Sequence, residues 1–239
     1  MADTAAGAGD AEVLVERVGA RADVVLNRPD RKNAITASLA VQLRDAIDSL
    51  GTDPSVHCIL LRGAGGSFCS GIDLKVAGDD LRAEPVTAWA EVHCALYRAQ
   101  VPVVVALERF AINAGASLAL AADVVVAGRG SFLQVSEIAM GVAAPMCQAW
   151  LHLRHSPALG DRITLLGDRI PAAELLRMGV VAEVVDDEQV VERAEQLADR
   201  IAGHPAAGRT AVARVWDRLR GRLDDPDAWF AALAAGARP

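Results

Sequence analysis

Runs of small aliphatic residues alternate along this chain with stretches of 3.6-residue periodicity. Glu12 to Gly19 and Arg21 to Leu26 alternate apolar and polar positions and predict paired strands around a turn near Gly19-Ala20. Thr36 suits the N-cap of a helix whose Leu39, Leu43, Ile47 and Leu50 share one face and which stops at Gly51. Cys58 to Arg62 and Val124 to Ala127 are short apolar strands. Val101 to Leu107, apolar throughout, predicts a strand buried on both faces of a mainly parallel sheet. Helices are predicted over Val86 to Arg98 and Gly115 to Ala121. Lys75 to Pro85 has charges, Gly and Pro without periodicity, and reads as a loop.

After Pro145 the pattern turns helical: Met146 to Arg154, Leu159 to Leu166, Pro171 to Met178, Asp187 to Ala202 and Ala206 to Leu223. A strand over Val180 to Val185 interrupts it. Strand, helix and strand recur, so the class is α/β.

Composition narrows the field. The 239 residues are 52% hydrophobic but only 4% aromatic, which favours helices packed tightly on a buried sheet. The net charge of −7 argues against nucleic acid as a partner and leaves room for a phosphate-bearing ligand held by a few local cations. No apolar run is long enough to span a membrane. Residues 1–10 are small and acidic, without a signal core, and read as a disordered leader on a cytoplasmic protein. The four cysteines, Cys58, Cys69, Cys94 and Cys147, have no metal-ligand spacing and read as buried thiols. Cys69 alone lies beside candidate chemistry.

That chemistry lies in two turns. Phe68-Cys69-Ser70-Gly71-Ile72-Asp73-Leu74 and Ala111-Ile112-Asn113-Ala114-Gly115-Ala116-Ser117 each run from an apolar strand into small residues. Backbone N–H groups stand free in such turns, and two turns facing each other would clamp a carbonyl oxygen as charge builds on it. The other reading of each turn is a packing need for small residues between strand and helix.

The order of these blocks, preceded by Leu26-Asn27-Arg28-Pro29-Asp30-Arg31-Lys32-Asn33-Ala34 and followed by Glu137-Ile138-Ala139-Met140-Gly141 and by Ala173 to Val181, resembles the enoyl-CoA hydratase/isomerase (crotonase) superfamily. The likeness covers Val13 to Ala202. It implies a spiral of ββα turns over residues 11–200, with residues 201–239 forming a helical region for trimerisation or a lid. It also implies a homotrimer or hexamer, an acyl-CoA thioester substrate, and no cofactor besides the coenzyme A that the substrate carries.

Position by position, the resemblance makes Ser70 and Ala114 the amides that hold a thioester enolate. It places Gly71, Ile72, Asp73 and Leu74 along the adenine and pantetheine wall. Asn113, Gly115, Ser136 and Gly141 are further substrate-binding positions that it implies. Ala34, with Arg31 and Lys32, lies beside the nucleotide, where the two cations either pair with CoA phosphates or form a solvated loop.

The chain departs from the family at informative places. Hydratases of the family use two glutamates; Glu137 occupies the second position, and Ser117 stands at the first, where a hydroxyl cannot act as a carboxylate base. Glu137, among Leu133, Val135, Ile138 and Met140, is expected to be partly buried with a raised pKa. A single mobile base suits the shift of a 3-enoyl to a 2-enoyl thioester. Asn113 and Ala114 replace family glycines, and Glu108 either adds a carboxylate or serves as a surface residue. The end of the chain, soon after Trp229-Phe230, lacks the family's final helical signature.

Three functions therefore stand: a one-glutamate acyl-CoA enzyme, a catalytically weak acyl-CoA binder, and a serine hydrolase using Ser117. His93 matches no family position; His152 and His155 read as helix-surface residues.

Overall fold

The computed structural model describes residues 11–73, 84–209, 211–212 and 224–235. The expected leader, Leu74 and most of the Lys75 to Pro85 loop lie outside them. Strands β1 (Val13–Val18) and β2 (Arg21–Leu26) form an antiparallel hairpin turned at Gly19, whose φ of +60° is glycine's natural territory. β3 (Cys58–Gly63), β4 (Val103–Leu107), β6 (Val124–Gly128) and β9 (Glu183–Val185) extend it into a six-stranded sheet, β1-β2-β3-β4-β6-β9, parallel from β2 onward.

Both faces of the central strands β2, β3 and β4 are buried, which explains the unbroken apolar runs, whereas the edge strand β1 is mostly exposed. Cys58, Leu60, Val104, Ala106 and Val126 point into one core, covered by helix α7 (Val190–Ala202) through Ala194, Leu197 and Ala198. Ile59, Leu61, Val103, Val105 and Leu107 point into the main core. There they meet α1 (Ala37–Thr52), α2 (Glu84–Arg98), α3 (Ala114–Ala121) and α4 (Pro145–Arg154).

Thr36 caps α1 as expected, its side chain accepting from the Leu39 N–H. Gly51 does not stop that helix. It lies inside it, where a Cβ would come within 3.3 Å of the Ala99 backbone, so glycine there lets α1 approach the end of α2.

The hydrophobic pattern missed a second sheet. β5 (Phe110–Ile112), β7 (Phe132–Gln134) and β8 (Arg169–Pro171) pair in the order β5-β7-β8. Each is three residues long, too short for alternation to register. Helix α5 (Pro157–Leu166) ends at Gly167 in the left-handed region, and α6 (Ala172–Arg177) follows β8.

Within the stretch expected to be helical, residues 201–239, one further helix is described. Helix α8 (Pro226–Ala234), capped by Asp225, drives a fully buried Phe230 against His93 and Tyr97 of α2 and Trp150 of α4. Of the predicted helix Ala206 to Leu223, residues 206–209 and 211–212 are helical, and the rest lies outside the described residues. Among the described residues no helix is long and apolar enough to cross a membrane.

Candidate active site

The two small-residue turns pair side by side. Cys69 bridges Ala111 in parallel, with the Cys69 N–H donating to the Phe110 carbonyl and the Ile112 N–H to the Cys69 carbonyl. Gly71, at φ +95°, faces the second turn: a Cβ there would lie 2.9 Å from the Ile112 carbonyl oxygen and 3.8 Å from the Ala114 nitrogen. Gly115 packs still closer, since a Cβ would sit 2.5 Å from the Cys69 carbonyl oxygen. Glycine at 115 is what lets the N-terminus of α3 rest on the first turn. The hidden strand β5 sets this register.

The two predicted amides differ in state. Ala114 is the first residue of α3, so its N–H has no partner in the helix, and among the described residues nothing accepts from it. The Ser70 N–H already donates to the Lys32 carbonyl at 3.1 Å. The expectation of two free amides is corrected to one open donor and one engaged.

Lys32 reaches that position because it and Asn33 both adopt positive φ, +54° and +53°. Buried Asn33 accepts from the Arg28 N–H and donates to the Ala64 and Ser67 carbonyls at 2.9 and 2.7 Å. It ties the β3 exit to the first turn, a role that only its type and its place after Arg-Pro-Asp could have suggested.

The nucleotide-side residues divide. Arg31 and Lys32 are exposed beside the first turn. Asp73, expected along the ligand wall, is buried against Arg28 at 3.1 Å and approached by Arg31 at 3.7 Å. Its carboxylate holds the loop. Ala34 is also buried, and its carbonyl accepts from Arg28. Ile72 bridges Ile35, Gly71 accepts from the Ile35 N–H, and Leu74 lies outside the described residues.

Glu137 opens a short 3₁₀ turn, Glu137–Met140, between Ser136 and the left-handed Gly141. Its Oε2 is buried and has no hydrogen-bond partner among the described residues. Burial pushes its pKa up to about 6, opposed only by its own backbone amide. The thiol of Cys147, from α4, faces this carboxylate; burial first, and Glu137 second, push it far up and leave it protonated. A buried carboxylate with a bare oxygen and a pKa near neutrality is equipped to take up and return a proton.

Ser117 is fully buried, its Oγ 2.8 Å from the Ala114 carbonyl and 3.1 Å from His93 Nε2. This Ser–His pair, invisible in the sequence, resembles a nucleophile and its base. Its protonation contradicts that. Trp150 Nε1–H, which can only donate, points at His93 Nδ1 at 2.8 Å. Burial lowers the His93 pKa to about 3, so the ring is neutral and its one proton sits on Nε2. Nε2–H therefore donates to Ser117 Oγ, which donates onward to the Ala114 carbonyl. His93 cannot accept the serine proton. Ser117 is a structural strut, which corrects its expected place among the catalytic groups and removes the hydrolase reading. Cys69, its thiol pushed up to about 12 by burial, is equally inert. The Glu108 carboxyl, half-buried, has its pKa raised by burial and opposed by Arg62, while its backbone carbonyl accepts from the Phe68 N–H at 3.0 Å where the first turn begins.

A largely parallel six-stranded sheet with two small-residue turns seated side by side agrees with the crotonase fold. A sequence model described as enoyl-CoA hydratase/isomerase matches residues 17–227, and the chain belongs to that family. It is 30% identical to 1,2-epoxyphenylacetyl-CoA isomerase of Escherichia coli over 77% of this chain and 74% of that protein. It is 32% identical to enoyl-CoA hydratase EchA19 of Mycobacterium tuberculosis, covering 85% and 79%. Among solved structures, an enoyl-CoA hydratase/isomerase from Mycobacterium paratuberculosis superposes with a TM-score of 0.82 at 28% identity, covering 95% and 92%. The chain is an acyl-CoA-processing enzyme of this family, a lyase or isomerase of enoyl-CoA.

Proposed function

We propose that this chain moves the double bond of an enoyl-CoA with a single carboxylate. Glu137 removes a proton from C2 of a 3-enoyl thioester and returns it at C4, leaving the 2-enoyl product. The Ala114 N–H holds the enolate oxygen between these steps, helped by the dipole of α3. The Ser70 N–H joins it by exchanging the Lys32 carbonyl for the thioester oxygen, a trade eased by a 3.1 Å bond at the long end of the usual range. Arg31 and Lys32, beside the first turn, meet the CoA phosphates.

One observation carries this reading: the bare, buried Oε2 of Glu137 beside a helix whose first amide is open. Hydration is disfavoured because Ser117 at the other family position is buried and carries no base, a loss of about 10²–10⁴-fold in rate for a missing acid–base group.

The second reading, a binder of acyl-CoA without turnover, draws on the engaged Ser70 amide. Assays with 3-enoyl-CoA and 2-enoyl-CoA, on the parent and on Glu137→Gln, decide. Isomerisation abolished in the variant supports the first reading. CoA-ester binding with no turnover of either substrate supports the second and overturns the first.

A further inference from the structure

Asn113 stands where backbone geometry alone would select glycine. Its φ is +52° and ψ −114°, a region that side-chain-bearing residues rarely enter, and no side-chain cap bond to α3 compensates. The compensation lies elsewhere. Its Oδ1 accepts from both the N–H and the hydroxyl of Ser136, at 2.8 and 3.0 Å. Because a backbone N–H can only donate, the carboxamide oxygen must face Ser136. Its own N–H donates to the Gln134 carbonyl at 2.8 Å, and its carbonyl lies 3.4 Å from the Cys147 thiol. The next residue is Ala114, and the residue after Ser136 is Glu137.

We propose that Asn113 is a positioning residue that locks the turn carrying Glu137 to the turn carrying the Ala114 amide. The inference rests on the one-carboxylate reading above and adds to it how the base and the oxyanion donor are kept in register. Among the described residues Glu137 Oε2 has no hydrogen-bond partner, so no polar anchor on that oxygen fixes the side chain independently of the backbone beneath it. That backbone is held by Ser136, and Ser136 is held by Asn113. Glycine at 113 would leave the helix start unstrained and the Glu137 turn unclamped.

The test uses Asn113→Gly, Asn113→Asp and Glu137→Gln, with kcat and KM measured for 3-enoyl-CoA isomerisation across pH. Asn113→Gly is expected to fold and to lose kcat by about ten- to a hundredfold, the cost of a misplaced group. Its KM should stay within about threefold, because CoA contacts are untouched. Asn113→Asp keeps the acceptor and is expected to restore most of kcat. Its added negative charge beside Glu137 should move the acid limb of the profile to higher pH. Among the described residues the neutral Cys147 thiol is the other titratable group facing Glu137, so the displacement is attributable to residue 113.

Parent-like kcat in Asn113→Gly, or equal loss in the Gly and Asp variants, overturns the inference. If Asn113→Gly fails to fold, Asn113→Asp alone decides: activity with a displaced limb supports it, and an inactive enzyme or an unmoved limb overturns it. Glu137→Gln separates the two ideas. Full activity there sinks the one-carboxylate reading and this inference with it, whereas an inactive Glu137→Gln beside a normal Asn113→Gly sinks the positioning role alone.

Discussion

Replacing Glu137 with Gln should stabilise the protein at neutral pH, and only there. The carboxyl titrates at about 6 in the fold, against an ordinary value of 4.5, because burial disfavours its charge. The folded state therefore binds this proton more tightly than the unfolded chain does. Below 4.5 both states are protonated and Glu137 costs nothing. As pH rises through 6 the native carboxylate must ionise in a poorly solvated place, and the stability that protonation gave is lost. At 1.36 kcal/mol for each tenfold change in proton affinity, and allowing for solvent reaching the half-buried residue, the loss is about 1–2 kcal/mol. The neutral amide of Glu137→Gln escapes it.

Urea unfolding of parent and variant at pH 4.5 and 7.5 reads the difference directly. With a slope of about 2–3 kcal/mol/M, the midpoint difference should move in the variant's favour by about 0.5 M between the two pH values. Other titrating groups, buried His93 among them, are common to both proteins and cancel. The same ionisation should appear in catalysis as a kcat that rises through pH 6, since the base must be unprotonated. A midpoint difference that ignores pH would refute the assignment of Glu137 as a desolvated carboxylate.

Three further substitutions probe the remaining parts. Gly115→Ala places a Cβ 2.5 Å from the Cys69 carbonyl oxygen and should cost about 1–3 kcal/mol by overpacking; activity should fall further as Ala114 is pushed off register. Gly208→Ala, which meets nothing within 4 Å, is the matched control, and both are read by thermal unfolding and isomerisation rate. Ser117→Ala strands the buried His93 Nε2–H and should destabilise by about 1–3 kcal/mol in urea, with no change in any residual thioester hydrolysis. Arg31→Ala should raise KM for a CoA ester about three- to tenfold at low salt and leave the acyl-pantetheine substrate unaffected, a difference that fades in 0.5 M salt as screening grows; equal effects on both substrates would remove Arg31 from the phosphate site.

The parts legible in the sequence are those that local chemistry decides. Thr36 announces α1, the both-sided burial of β4 shows in its unbroken apolar run, and the order of the small-residue turns and Glu137 marks the family. What escaped depends on distant partners. Strands β5, β7 and β8 exist because each finds an edge to pair with, and three residues carry no period of their own. The engagement of Ser70 follows from a positive φ at Lys32, which its residue type does not suggest. Ser117 was readable as a non-carboxylate at a carboxylate's position, but His93 and Trp150, which settle its role, come from other helices. Phe230 is the plug of an aromatic cluster whose other rings come from α2 and α4, far off in sequence.

The departures from the family share one direction. A carboxylate at position 117 would be buried against His93, where its charge would carry a desolvation cost that the serine hydroxyl avoids. With serine there, the His93–Trp150 pair closes a neutral chain that ends on the Ala114 carbonyl, bracing the residue that opens α3. With asparagine at 113, the same turn is tied to Ser136 on its other side. Ser117 thus holds Ala114 from beneath while Asn113 holds the Glu137 turn from beside it. Under the one-carboxylate reading these are linked changes: the side chain that would have handled water has become a brace, and proton transfer falls to a single base kept in place by its neighbour.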